Sequence, residues 1–113
     1  YFFGRRLLTG EKVAQLEKWD ITTNTRAYVA KGVNDGAGAY CYGDLETNRA
    51  VLGGEFLAFT IWNLSTGELI FDTMFSSAAG DVIKTIAISG DYAYGAGAKN
   101  GHWYLTRVQL DNA

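Results

Sequence analysis

One phrase occurs twice in this chain and a third time in fainter form. It reads Glu17-Lys18-Trp19-Asp20-Ile21-Thr22-Thr23-Asn24, then Ile61-Trp62-Asn63-Leu64-Ser65-Thr66-Gly67, then Arg107-Val108-Gln109-Leu110-Asp111-Asn112. Trp19, Trp62 and Val108 are 43 and 46 positions apart. A unit recurring at roughly 40–45 residues is one small supersecondary piece that cannot bury its own faces. Copies of such a piece must stack on one another to make a core. That requirement constrains the fold more than any bulk property does.

Strand signals fill the space between the copies. Tyr1 to Arg6 starts as a strand, and Leu7 to Glu11 turns it through Thr9-Gly10. Lys12 to Ile21 is the next strand, with a helix over Glu11 to Lys18 as the competing reading because those residues are good helix formers. Thr22-Thr23-Asn24 turns, and Arg26 to Ala30 returns. Lys31 to Gly38 is a glycine-rich connection, followed by the strand Ala39 to Gly43. A phosphate loop would need a helix after it, and a strand follows. Asp44 to Arg49 reads as a polar turn, and Ala50 to Leu52 as a strand. Phe56 to Trp62 is apolar on both faces, so it is expected between two layers. Ser65-Thr66-Gly67-Glu68 turns into the outer strand Leu69 to Phe75, and Ser76 to Asp81 is a second connection. Val82 to Ile88, Tyr92 to Gly97 and His102 to Leu110 complete the pattern. Turns use Gly, Asn and Asp, since the chain has 14 glycines and no proline. At Gly67 the turn calls for a positive φ, which Asn24 meets in the first copy; asparagine is therefore expected to be tolerated at 67.

The pair Trp19-Asp20 within Lys18 to Thr23, and the unit Ile61 to Leu69, resemble the signature of WD-repeat β-propellers. Ile88 to Tyr94 is similar to the first hairpin of propeller blades in general, and the Thr66-Gly67 turn to that of quinone-cofactor propellers. The resemblance covers nearly the whole chain with short motifs. It departs from the WD pattern in three ways: neither connection holds the Gly-His pair, Trp62-Asn63 replaces the second Trp-Asp, and Val108-Gln109 replaces the third. The polar network around the tryptophan is expected to be missing. The resemblance implies an all-β fold of antiparallel four-stranded blades of a β-propeller in an incomplete ring. It assigns a partial blade to 1–31, a full blade to 37–75 and a partial blade to 82–113. The function it implies is a binding or scaffold module for a protein partner. The alternative is part of a propeller enzyme or lectin whose axial ligand site other blades complete. Other copies of this chain, or other chains, would complete the ring.

Composition narrows the chemistry. With 113 residues, 48 % hydrophobic and 14 % aromatic, this is one globular domain's worth of chain. A net charge of −2 argues against nucleic acid as a partner. No apolar run approaches about 18 residues, so no membrane span is expected. The chain opens on tyrosine without a signal-peptide pattern and reads as a processed chain or part of a longer protein. Cys41, alone in Ala39-Tyr40-Cys41-Tyr42, reads as a packed thiol. One histidine and one cysteine make no metal pattern, no triad can be built, and no cofactor is expected. Trp19 and Trp62 read as packing anchors. The binding candidates are Arg5, Arg6, Lys99 and Asn100, placed in comparable loops, with His102 beside Trp103. Asn63-Leu64-Ser65 has the form of a glycosylation acceptor.

Overall fold

A computed structural model of the protein describes residues 2–8, 11–32, 42–78 and 80–111, with side chains over 14–32, 45–78 and 80–111. The described residues form strands and turns only. The strands are β1 (Phe2–Leu8), β2 (Glu11–Asp20), β3 (Thr25–Lys31), β4 (Tyr42–Glu46), β5 (Arg49–Gly54), β6 (Ala58–Asn63), β7 (Leu69–Met74), β8 (Val82–Ser89), β9 (Tyr92–Lys99) and β10 (His102–Gln109). They make three antiparallel meanders in chain order: β1-β2-β3, β4-β5-β6-β7 and β8-β9-β10.

The middle meander is a layer between the other two. Side chains alternate across a strand, and in β5 and β6 both sets are apolar. Ala50, Leu52 and Trp62 pack with Ala14, Leu16 and Ala30 of β2 and β3. Val51, Phe59 and Ile61 pack with Ile83, Ile86, Ile88 and Ala93 of β8 and β9. β8 also lies against β4 and β5, and Glu55 bridges Val82. Close approach here needs glycine at 95, where any Cβ would meet the Phe59 ring. Arg49 closes the lower seam by pairing with Asp111 through Nε at 2.7 Å and through Nη2.

The repeated phrase has a repeated backbone. β2 shifts register against β3 between Lys18 and Trp19, and β6 shifts against β7 between Ile61 and Trp62. Asp20 Oδ1 then accepts from Thr22 N (2.9 Å) and Thr23 N (3.4 Å). Asn63 Oδ1 accepts from Ser65 N (3.0 Å) and Thr66 N (3.1 Å). Asn24 (φ 56°) and Gly67 (φ 78°) close the two turns.

Glu11 to Lys18 is strand, in keeping with the strand expected over Lys12 to Ile21 and against the competing helix: Ala14 and Leu16 are buried while Gln15 and Glu17 face away, a period of two. Other expectations change. The polar turn at Asp44 to Arg49 shrinks to Thr47-Asn48, both left-handed (φ 55° and 56°), as a two-residue hairpin demands. Phe56 and Leu57 leave the strand. They form the β5–β6 turn at φ 64° and 52°, held by Phe56 N and Leu57 N donating to the Asp81 carbonyl at 2.7 and 3.3 Å. Leu57 is fully buried, so the core rewards a backbone that bulky residues rarely adopt. Gly67 has a second constraint, because a Cβ there would lie 2.9–3.1 Å from the Tyr28 ring. Asparagine at 67 would therefore have to press on the Tyr28 ring, a constraint that φ alone does not carry. Thr9-Gly10, the connection over 33–38 and Cys41 lie outside the described residues.

Candidate functional site

The β9–β10 hairpin gathers three of the five candidate residues. Lys99 ends β9, Asn100 and Gly101 turn at φ 51° and 76°, and His102 starts β10 opposite Lys99. Asn-Gly suits this turn because both positions must be left-handed. Asp81 fixes the turn from below. It is 4 % exposed, and its Oδ1 accepts from Asn100 N at 2.9 Å while its Oδ2 accepts from Ser76 Oγ at 2.7 Å. The Ser76 hydroxyl, then the Asn100 amide, hold the Asp81 carboxyl below its usual pKa against the opposing effect of burial. Asp81 thus joins three segments, its backbone carbonyl holding the β5–β6 turn and its carboxylate the β7–β8 connection and the β9–β10 turn.

Beside the turn runs an open groove of about 560 Å³ on the outward face of β8–β10. Ala96, Ala98 and Gly97 make its floor, and Lys84, Thr85, His102 and Trp103 line it. Trp103 is 97 % exposed and Leu105 74 %, with Tyr94 nearby on the same face. Arg107 crosses the Tyr92 ring on this face at 4.0 Å, whereas Lys99 Nζ lies 5.5 Å from the ring centre of Tyr104, which packs against the core on the other side of the sheet. Lys84 and Arg107 bring positive charge to this face, and Trp103 and Leu105 leave apolar surface exposed on it.

Arg5 and Arg6 are not part of this cluster. They sit within β1, opposite Ala14 and Val13, and not in a loop. Their meander packs on the other side of the middle layer, so the structure separates them from Lys99, Asn100 and His102. The outward face of β2–β3 has its own polar set. Trp19 Nε1 and Gln15 Nε2 donate to Glu17 at 3.0 and 2.9 Å, and Arg26 lies 3.6 Å away. The Trp19 hydrogen bond is the main cause of a lowered Glu17 pKa.

Sequence reasoning passed over Trp103, Lys84 and Asp81. Trp103 and Leu105 lie two apart in β10 and so share a face, and which face looks outward follows only from the pairing with β9. Among the described residues no group of three or more His, Cys, Asp or Glu side chains could hold a metal ion, and no helix is long and apolar enough to cross a membrane.

The class that the fold and this site define is an all-β protein of stacked antiparallel meanders with an open aromatic face. No family model and no curated protein matches the chain.

Proposed function

We propose that this chain is a segment of a WD-repeat-like β-propeller and serves as a binding module that presents the β8–β10 face to a protein partner. The observation that carries the reading is Trp103, 97 % exposed over a small-residue groove that Lys84 also lines. Exposed aromatic residues of this kind anchor protein contacts, because a large rigid ring leaves water at little entropic cost. Three features support the propeller segment. The meanders have three, four and three strands. The first strands of the second and third meanders, β4 and β8, lie side by side. Equivalent positions share partners: Trp62 faces Ala50 and Val108 faces Ala93.

The test places a photo-crosslinking residue at Thr85, in the groove, and compares it with the same variant carrying Trp103→Glu. The reading expects a discrete adduct with a different protein that Trp103→Glu abolishes. No adduct, or adducts with this chain alone, would overturn it.

A further inference from the structure

The β9–β10 turn holds the pair Asn100-Gly101 at the tip of the hairpin, beyond the last ladder pair of His102 with Lys99. Both residues are exposed, and open space surrounds Gly101 where a Cβ would stand. Their φ values of 51° and 76° make the turn type I′. The other common two-residue hairpin turn is type II′, which asks for the same positive φ at its first position. Rotating the single peptide between Asn100 and Gly101 converts one turn into the other and leaves both strands in place. In the type II′ form ψ at the first position is about −120°. For an L-residue that angle eclipses Cβ with the following nitrogen. The Asn100 side chain and the Gly101 nitrogen then stand where a five-membered ring closes. Asp81 does not oppose this rotation. Its Oδ1 accepts from Asn100 N at 2.9 Å, and that N–H belongs to the preceding peptide. Glycine at 101 adopts the φ of either form without steric cost.

We propose that Asn100-Gly101 deamidates spontaneously in the folded protein, and that the products free this turn from Asp81. Hydroxide takes the Gly101 amide proton, and the nitrogen attacks Asn100 Cγ. An N–Cγ bond forms and the Cγ–Nδ2 bond breaks. The amide nitrogen leaves as ammonia after taking a proton from water, which restores the hydroxide. Water then opens the cyclic imide at either carbonyl. One opening yields aspartate; the other yields isoaspartate, whose main chain runs through Cβ. Both add a carboxylate to the turn beside the buried carboxylate of Asp81, and close like charges repel. Isoaspartate also lengthens a turn whose two residues fit between Lys99 and His102. Each change draws the residue-100 amide away from Asp81. The Asp81 carbonyl holds Phe56 N and Leu57 N, so the effect reaches the β5–β6 turn. Asn24 and Asn48 share the left-handed backbone, each at φ 56°, but precede Thr25 and Arg49. Side chains there shield the following amide and hinder its rotation, so these two asparagines are internal controls. The chemistry stands independently of what the β8–β10 face binds.

Peptide mapping by mass spectrometry tests it, with the full chain held at mildly alkaline pH both folded and in denaturant. Conversion is expected at position 100 of the folded chain, with isoaspartate in excess of aspartate, and none at Asn24 or Asn48. Hydroxylamine, which cleaves at a cyclic imide, should cut the folded chain after Asn100. The converted protein should melt below the fresh one. Asn100→Gly removes the reacting amide and suits a left-handed turn, so the same incubation should leave its melting temperature unchanged. Asn100 intact in the folded chain once half has converted in denaturant would overturn the proposal. So would conversion at Asn24 or Asn48 at the same rate, a converted protein as stable as the fresh one, or an equal fall in Asn100→Gly.

Discussion

Trp19 and Trp62 follow the same kind of register shift and precede the same kind of side-chain-capped turn, yet their surroundings differ. Trp62 is fully buried among Ala14, Leu16, Ala30, Ala50 and Leu52, and its Nε1 has no hydrogen-bond partner among the described residues. Trp19 is half-buried on an outward face, and its Nε1 is bonded to Glu17. The phrase therefore encodes a backbone, and the neighbouring sheet decides what its tryptophan does. The middle meander has a neighbour on each side, whereas the first lies against one.

The largest expected effects separate the two indoles. Trp62→Ala should cost about 3–5 kcal/mol, because a buried indole leaves a cavity that the layers cannot close. Trp19→Ala should cost less than about 1 kcal/mol, as surface changes do. Denaturant midpoints measure both, and equal losses would show that the first meander's outer face is covered as the middle one's is. Next comes Gly95→Ala, which drives a methyl group into the Phe59 ring and should cost about 1–3 kcal/mol. Gly80→Ala, with open space around its Cβ, should leave the melting temperature within error. Gly67→Asn should destabilise by about 1–2 kcal/mol through the Tyr28 ring, while Asn24→Gly should change stability by only a few tenths.

The smallest effect is in the acid limb. The pKa values of Asp81 and Glu17 are lowered in the fold, Asp81 chiefly by the Ser76 hydroxyl and Glu17 chiefly by the Trp19 indole. A lowered folded pKa contributes stability that is fully present above the ordinary carboxylate value of about 4 and is lost as the pH falls through the folded value. Melting temperatures should be flat from neutrality to about pH 5 and decline below it. Asp81→Asn and Glu17→Gln should each flatten part of that decline. A decline of undiminished slope in both variants would assign the acid sensitivity to other groups.

Strands were legible where the period of two was clean, as in Val82 to Ile88, and where apolar residues filled both faces, as in Ala58 to Trp62. The two-sided run also showed that β6 lies between layers. Phe56 and Leu57 were misread as strand because their composition is strand-like. Their left-handed backbone depends on the Asp81 carbonyl, 24 positions from Leu57, and no local pattern carries that. The site was half legible for the same reason. Lys99, Asn100 and His102 fall together because a two-residue turn brings them there. Arg5 and Arg6 were joined to them by an analogy between loops, and the pairing of β1 with β2 places both arginines within a strand. Trp103 became conspicuous only once the opposite face of β8–β10 was occupied by Phe59 and its neighbours.

Fluorine NMR of the chain labelled with 5-fluorotryptophan tests the central claim most directly, at a dilution where no self-association occurs. Three tryptophans give three resonances, assigned by single substitutions to phenylalanine. The account predicts no solvent-isotope shift for Trp62, an intermediate shift for Trp19 and the full shift of free indole for Trp103. A shielded Trp103, or Trp19 as protected as Trp62, would contradict a middle layer buried on both sides between sheets with open outer faces.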